Sequence, residues 1–259
     1  MNNSERADII RNARVKNAYN HKIVQAFLDD QGDHSFILGD NAVYLQNDNS
    51  VTRLYWFLSS LDSVRGLFNR VIECSIMQPL ISEIVYSGNV PDYISVFVKS
   101  GMKKYTHMSF MTRKAVPTEY ARSPDVMYAQ VSDVKEIYEL LLDNFDICVS
   151  HLPSIPELER RVNGKEIRIV KIDGRIAALG IFERTGNNTM YLYQILTAPR
   201  YQKKGLSSEI LEDAIAENGA HCVFTSWVQD GNLPSISLHQ KHGFYQAGRK
   251  LIVLKGARA

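Results

Sequence analysis

The sequence contains 259 residues, of which 45% are hydrophobic, 10% aromatic and 22% charged, and its formal net charge is +2. This is an ordinary globular composition, and the length predicts about two domains of 100–150 residues each. The nearly balanced charge excludes proteins that attract nucleic acids or membranes through a strong overall positive field.

The first half of the chain alternates between helical and strand patterns. Apolar residues at spacings of three to five predict that the first 30 residues form a helix. A turn at Gly39-Asp40-Asn41 separates two short strand-like runs. The predicted elements after the first helix are strands at 35–38, 42–45 and 53–58, a helix at 62–75, a strand at 81–86, a short helix at 92–99 and a strand at 104–112.

A segment with two prolines and no periodicity, 114–125, divides the chain and is typical of a linker. Beyond it, Asp173-Gly174 is a strong hairpin signal. The predicted elements are a strand at 126–130, a helix from Ser132, a short helix at 156–163, strands at 167–172, 175–183 and 189–197, a helix at 205–217, a strand at 222–228, a helix at 234–242 and a strand at 245–254. This alternation predicts an α/β fold in which helices cover a mixed sheet.

An internal repeat links the two halves. Ile94–Met102 aligns without a gap with Ile236–Phe244, and four of the nine aligned positions are identical. Each copy follows an Asn-x-Pro and precedes a predicted strand. We therefore predict two copies of one fold, with domains at 1–114 and 126–259 joined by a linker at 115–125.

Two features of the chain bear on its compartment. The N-terminus is polar and no apolar run reaches the length of a membrane-spanning helix, so neither a signal peptide nor a membrane segment is predicted. Cys74, Cys148 and Cys222 are an odd number, widely spaced, and form no CxxC pair. The sequence thus predicts a cytoplasmic protein with buried thiols and no metal site.

A basic turn between a predicted strand and a predicted helix is the segment that carries chemistry. Gly205 permits a positive φ and close approach to the backbone. Backbone N–H groups at the start of the helix favour an anion, and Lys203 and Lys204 add positive charge. The hydroxyls of Ser207 and Ser208 can donate to phosphate oxygens, so a diphosphate is the natural ligand. A turn glycine beside solvated lysines is the alternative that this segment alone leaves open.

The surrounding residues resemble the GNAT superfamily of N-acetyltransferases. Gln202-Lys-Lys-Gly205-Leu-Ser207 resembles the Q/R-x-x-G-x-G/A loop that binds the pyrophosphate of acetyl-CoA, and Thr197-Ala-Pro-Arg-Tyr201 resembles the V-x-P-x-Y before it. Further on, Asn232–Phe244 resembles the second signature, N-x-x-S-x-x-L-Y/H-x-K-x-G-F. The two motifs occur in the family's order with predicted strands between them.

This resemblance implies that acetyl-CoA lies between splayed strands at 189–197 and 222–228. Its pantetheine arm would pair with the backbone, and its acetyl group would pass directly to an amine. The residues implied to bind it are Ile195, Thr197, Gln202, Lys203, Lys204, Gly205, Leu206, Ser207, Asn232 and Ser235.

Two residues are candidates for catalysis. His239 stands where many relatives have a tyrosine that protonates the leaving sulfur, and histidine can donate a proton near neutral pH. Packing against the cofactor is the alternative role. Glu183 is the nearest carboxylate for a general base, although an exposed strand-end acid, or proton removal through water, Tyr193 or Gln194, stays open. His242 is expected on an exposed face.

The first half lacks the loop motif, and Phe97 occupies the position that matches His239. We therefore expect a degenerate GNAT-like copy that does not bind acetyl-CoA beside a catalytic one. The predicted function is acetyl transfer from acetyl-CoA to a primary amine of a small molecule. A protein or peptide N-acetyltransferase and a non-catalytic acyl-CoA-binding module are the alternatives. Neither nucleic acid nor membrane is an expected partner, and the protein is expected to be a monomer or homodimer.

Overall fold

The computed structural model describes residues 3–18, 21–32, 34–48, 51–62, 64–73 and 79–256. Contacts between residues group the chain into two compact units. Unit 1 is formed by the described residues of 1–107, 147–151 and 250–259, and unit 2 by 108–146 and 152–249. Within the described ranges, no helix is both long and apolar enough to cross a membrane.

Helices lie where periodicity and capping residues predict them, with one exception. They are α1 (Asn3–Asn12), α2 (His21–Asp29), α3 (Val64–Glu73), α4 (Ile94–Lys99), α5 (Val134–Asn144), α6 (Ile155–Asn163), α7 (Leu206–Asn218) and α8 (Leu233–Lys241). The prediction of one helix within the first 30 residues is wrong, because β1 (Val15–Lys16) separates α1 from α2. Backbone pairing holds this segment extended, since Val15 pairs with Leu58 and Arg14 N donates to Leu58 O at 2.8 Å.

The strands confirm a mixed α/β fold. Those after β1 are β2 (Ser35–Leu38), β3 (Asn41–Asp48), β4 (Val51–Leu58), β5 (Leu80–Ser87), β6 (Met102–Arg113), β7 (Met127–Tyr128), β8 (Ile167–Ile172), β9 (Arg175–Arg184), β10 (Thr189–Thr197), β11 (Val223–Gln229) and β12 (Tyr245–Gly256). The predictions for β2, β8 and β10 match to the residue. The others differ by a few residues at their ends, where local patterns are least informative.

Unit 1 has the strand order β2-β3-β4-β5-β12, to which β12 contributes its residues from Lys250 onward. β3 pairs antiparallel with β2 and β4, whereas β4 and β5 are parallel. The rings of Trp56 and Phe97 stack with their centroids 4.0 Å apart, and Phe68 packs on Phe97 at 5.3 Å. The interior of unit 1 is therefore filled by aromatic side chains from β4, α3 and α4.

Unit 2 has the strand order β6-β11-β10-β9-β8-β7, to which β6 contributes its residues from Met108 onward. β11 pairs antiparallel with β6 and parallel with β10, and β10, β9 and β8 are antiparallel. α7 lies very close to β9, because a Cβ at Gly180 would stand 2.7 Å from Ile210 Cγ2. Only glycine at this position allows the buried face of α7 to reach the sheet.

Both units contain the same split between two parallel strands. In unit 1 the parallel pairing reaches Arg53↔Ile81, and the next serine on β5, Ser82, donates its hydroxyl to Leu54 O at 2.7 Å. In unit 2 the pairing reaches Tyr191↔Thr225, and Ser226 donates to Leu192 O at 3.0 Å. The two splits therefore have the same register and the same serine bridge, which extends the sequence repeat into strand geometry.

The segment predicted as a linker contains neither helix nor strand over 114–125. It is nonetheless anchored, because Arg122 Nε lies 2.6 Å from Asp213 Oδ1 and Ser123 donates to Glu209 at 2.5 Å. The predicted domain limits, 1–114 and 126–259, stay a prediction. The compact units differ from them at 108–114, 147–151 and 250–259, because contacts join residues that are distant in the sequence.

Two of the three cysteines are described. Cys148 and Cys222 are buried, as predicted for structural thiols. The expectation for Cys74 falls outside the described residues.

Candidate active site

The split between β10 and β11 is the first feature of the candidate site. The parallel pairing covers Thr189↔Val223 to Tyr191↔Thr225, and β10 then continues to Thr197 beside β9 alone within the described residues. The register with β9 shifts between Leu192 and Gln194, so Tyr193 lies at a bulge. A strand edge that leaves the sheet exposes backbone groups that can bind an extended amide-containing ligand.

A tight loop connects β10 to α7. Lys203 and Gly205 have positive φ values of 64° and 81°, and Gly205 is the N-cap of α7. Gln202, Lys203, Lys204 and Gly205 are exposed, whereas Leu206 packs in the core. The first turn of α7 thus presents its backbone N–H groups to solvent beside two lysines, which is an anion-binding arrangement.

Side-chain hydroxyls connect this loop to the end of β10. Thr197 Oγ1 and Ser207 Oγ lie 2.7 Å apart. This contact joins the last residue of the strand to the first turn of the helix. Ile195 and Thr197 are half-buried on β10. The predicted pantetheine and diphosphate residues therefore belong to adjoining parts of unit 2.

α8 supplies the second signature. Asn232 caps it by accepting a hydrogen bond from Ser235 N at 3.1 Å, a role that the sequence did not assign to either residue. Ser235 in turn offers its carbonyl to His239 one turn later, at 2.8 Å from Nδ1. The N-terminal residues of the motif thus orient the candidate acid.

His239 is 1% exposed, and its ring packs edge-on against Phe244 with centroids 4.9 Å apart. Because a carbonyl oxygen can only accept, Nδ1 carries a proton and donates it to Ser235 O. Nε2 is buried without a hydrogen-bond partner in the described part of the chain. Burial lowers the pKa of His239, against a smaller opposing effect of the bond to Ser235. An orphaned ring nitrogen in a dry site is typical of a position that a ligand completes.

Glu183 lies in an ion pair rather than on an open strand end. Its Oε2 accepts from Arg161 Nη2 at 3.0 Å. Arg161 is 4% exposed, and its guanidinium lies 4.5 Å from the ring centroid of Tyr193, at the bulge. Burial, followed by the charge of Glu183, raises the pKa of Tyr193. Glu183 and Tyr193 are thus brought together through Arg161, a residue that the sequence did not single out.

The expectation that His242 lies on an exposed face is wrong. His242 is 2% exposed. Its Nδ1 lies 3.1 Å from Tyr120 Oη, and its Nε2 lies 2.7 Å from Ser208 Oγ. Local periodicity could not reveal this, because Tyr120 precedes His242 by 122 residues.

A split parallel strand pair, followed by a glycine-containing turn at the start of a helix, defines the class of acyl-CoA-dependent acyltransferase folds. The model of the acetyltransferase (GNAT) family matches residues 134–244. The chain therefore carries a GNAT acetyltransferase domain over those residues. This domain is an acyltransferase domain.

Solved structures share the fold over most of the chain. A tandem GNAT protein from the clavulanic acid biosynthesis pathway is 12% identical with a TM-score of 0.61, and the match covers 99% of this chain and 95% of that one. A GCN5-related N-acetyltransferase from Sphaerobacter thermophilus is 7% identical with a TM-score of 0.59, covering 83% and 76%. One from Kribbella flavida is 13% identical with a TM-score of 0.57, covering 86% and 89%. None of the curated proteins compared with the chain matches it.

Proposed function

We propose that this protein transfers an acetyl group from acetyl-CoA to a primary amine of a small molecule. The observation that carries the proposal is the continuity between the split at Tyr191↔Thr225 and the exposed helix start at Gly205. An extended ligand with a diphosphate at one end fits both features. Ile195 and Thr197 would pair with its amide groups, and the N–H groups of Gln202–Ser207 would hold its diphosphate.

The reaction needs three events at the thioester. The neutral amine nitrogen attacks the carbonyl carbon, a C–N bond forms as the C–S bond breaks, and the sulfur leaves as a thiolate that takes up a proton. His239 is the proposed donor of that proton. Since Nδ1 is committed to Ser235 O, the proton must come from Nε2 of the imidazolium form. A lowered pKa makes that form a stronger acid.

The amine must lose a proton before or during attack. Glu183 is the proposed acceptor, by way of a water molecule. It lies near the bulge at Tyr193, because Glu183 and Tyr193 both contact Arg161. The side chain of Glu183 is 28% exposed, so such a water can reach it.

The charges around Arg161 favour a cationic amine as the acceptor. Its guanidinium nitrogens lie 3.0 Å from Glu157, 2.8 Å from Glu166 and 3.0 Å from Glu183. Arg160 pairs with the first two of these carboxylates. Three carboxylates against two arginines leave a negative balance, which attracts an ammonium group and repels an anionic acceptor.

We propose that the first half is a GNAT-like copy that does not bind acetyl-CoA. Residues of the first half itself occupy the split between β4 and β5. Asn17 Nδ2 donates to Leu54 O at 3.0 Å, and Trp56 N donates to Asn17 Oδ1 at 2.7 Å. The side chain of Asn17 and the strand β1 together occupy one edge of β4. The corresponding edge of β10 is the one that is proposed to bind acetyl-CoA. An amide of the protein thus stands where unit 2 is proposed to accept amides of acetyl-CoA.

Release of CoA over a panel of small amines and lysine peptides tests the function. We expect turnover on a small amine, with His239→Gln reducing kcat by roughly 10²–10⁴-fold, the usual contribution of acid–base catalysis. His221→Gln is the matched control, because His221 is an exposed histidine of unit 2, and its activity should equal that of the wild type. Turnover on peptides alone would favour the protein acetyltransferase. Tight binding of acetyl-CoA without turnover would favour the binding module.

A further inference from the structure

A cavity of about 700 Å³ opens in unit 2 between the segment that follows β6 and the end of α8. None of the residues proposed to bind acetyl-CoA or to catalyse its reaction lines this cavity. Its charged lining residues are Arg113, Lys114, Glu119 and Lys241, and His242 lines it as well. The cavity therefore requires an explanation beyond the proposed function.

Arg113 is a buried cation in the wall of this cavity. It is 6% exposed, and its Nη1 donates to Lys114 O at 3.2 Å. Among the described residues no carboxylate forms an ion pair with it, and burial lowers its pKa. Arg113 lines the cavity together with Gly243, where an added Cβ would stand 3.9 Å from Arg113 Nε. Burial of a guanidinium costs free energy unless an anion pairs with it.

The charges around the cavity have the sign that such an anion needs. Lys114 is exposed beside Arg113. Lys241 Nζ donates to Ser208 Oγ at 2.8 Å and lies 3.5 Å from Glu212. Glu119 lines the cavity and Glu212 pairs with Lys241, so two carboxylates stand against the three cations Arg113, Lys114 and Lys241. One net positive charge remains among these groups, and it favours an anionic ligand.

The wall of the cavity is held in place by hydrogen bonds. His242 uses both ring nitrogens, on Tyr120 Oη and on Ser208 Oγ. Tyr120 belongs to the anchored segment after β6, and Ser208 lies in the first turn of α7. The cavity is thus preorganised, and it borders the helix start at which a diphosphate is proposed to bind.

We propose that this cavity binds a phosphate monoester, with Arg113 as its buried anchor and Lys114 and Lys241 as flanking cations. A phosphate dianion is attracted by this positive charge and accepts paired N–H groups from one guanidinium. Two sources share this chemistry. One is the 3′-phosphate of acetyl-CoA, and the other is a separate phosphorylated small molecule.

Binding of inorganic phosphate to the full chain is the first test, with ionic strength held constant by chloride. We expect phosphate to raise the unfolding midpoint of the wild type, and Arg113→Met and Lys114→Gln to weaken the phosphate Kd at least tenfold. Lys135→Gln is the control, since Lys135 is an 87% exposed lysine outside the cavity, and its Kd should match the wild type. Lys114 is exposed, so its variant remains informative even if Arg113→Met does not fold.

Comparison of acetyl-CoA with 3′-dephospho-acetyl-CoA identifies the source. A tenfold preference for acetyl-CoA that disappears in Lys114→Gln and Arg113→Met supports the 3′-phosphate as the ligand. Equal affinities, with phosphate binding still lost in the cavity variants, support a separate phosphorylated ligand. The proposal is overturned if the wild type and the cavity variants bind phosphate and both CoA forms alike, which would leave Arg113 with a structural role near Gly219 at the end of α7. The phosphate arm needs no acetyl transfer, so it can succeed or fail independently of the proposed function.

Discussion

His239 is the residue on which the proposed acid catalysis depends. The motif predicted its position at the tyrosine site of the family, but the sequence could not reveal the state of the ring. The structure adds that Nδ1 is bonded to Ser235 O and that Nε2 is buried and unpaired within the described residues. The residues named by motif thus lie in the candidate site, whereas Arg161 and the buried state of His242 depend on contacts across long sequence separations.

The buried histidine also affects stability. Burial lowers the folded-state pKa of His239 below its ordinary value of 6.5, so the unfolded chain binds a proton more readily. The contribution of the neutral His239 ring to the free energy of unfolding is complete above about pH 6.5. It is lost as the pH falls through the lowered pKa of the folded state. We expect His239→Gln to lose less stability than the wild type between pH 7 and pH 5.5 in denaturant titrations. Parallel pH profiles for the two proteins would contradict this expectation.

At the scale of elements, α7 has a structural role in addition to the binding role proposed for its first turn and the loop before it. Patterns of apolar residues predicted this helix and its neighbouring strands well. They could not predict that the segment 114–125 packs on it, because its prolines and polar residues give no periodicity. Asp213 on α7 is 0% exposed. It forms ion pairs with Arg122 from that segment and with Arg168 from β8.

Removal of that carboxylate should be strongly destabilising. Asp213→Ala leaves Arg168, itself 3% exposed, without its buried partner. We expect a loss of about 3–5 kcal/mol in the free energy of unfolding, measured by urea denaturation. Glu139→Ala, at an exposed helix position, should change it by less than about 0.5 kcal/mol. A loss below 1 kcal/mol for Asp213→Ala would show that these buried ion pairs contribute little to the free energy of unfolding.

The glycine at the start of α7 gives a second prediction at this scale. Gly205→Ala strains a residue with φ of 81° and should cost about 1–2 kcal/mol of stability. Gly205→Glu adds a carboxylate where the diphosphate is proposed to bind and should weaken acetyl-CoA at least 100-fold relative to Gly205→Ala in titration calorimetry. Gly174→Glu, at a hairpin glycine with φ of 75°, controls for backbone strain and charge. Equal affinities for the two Gly205 variants would refute the loop assignment.

For the whole molecule, the repeat seen in nine residues of sequence extends to the two strand splits. The sequence predicted the repeat because the α4 and α8 segments retain identical residues. It could not show that Asn17 fills the split of unit 1, since a single asparagine near the N-terminus carries no pattern. The stacked rings of Trp56 and Phe97 also pack in the interior of unit 1.

This arrangement predicts one acetyl-CoA per chain. Asn17→Ala should cost about 1–3 kcal/mol, because the backbone groups of Leu54 and Trp56 lose buried hydrogen bonds. It should not create a second binding site, since the first half has no diphosphate loop. Native mass spectrometry of the wild type and this variant measures the stoichiometry. Two acetyl-CoA molecules bound to the wild type would contradict a silent first copy.

A cluster in unit 1 makes stability depend on pH in the opposite direction to His239. His151 lies 3.3 Å from Asp48 and 3.2 Å from Glu83. Although burial opposes it, these carboxylates raise the pKa of His151 to about 9. Its stabilisation is therefore full below about pH 6.5 and lost as the pH rises through about 9. Because 43% of the side chain is exposed, screening reduces the effect to roughly 1 kcal/mol. His151→Gln should flatten the fall in unfolding free energy between pH 7 and pH 9.5, and an unchanged fall would exclude this cluster as its cause.

Transfer of a labelled acetyl group in a single turnover tests most directly whether unit 2 passes acetyl from acetyl-CoA to an amine. Enzyme in excess over ¹³C-acetyl-CoA is mixed with the best amine of the panel, and the label is followed by mass spectrometry. We predict that the label appears on the amine, that CoA is released in equal amount, and that no acetylated protein accumulates. Gly205→Glu should abolish the transfer, whereas Gly174→Glu should retain it. Label found only in acetate or on the protein, or equal transfer by Gly205→Glu, would contradict direct transfer at this site.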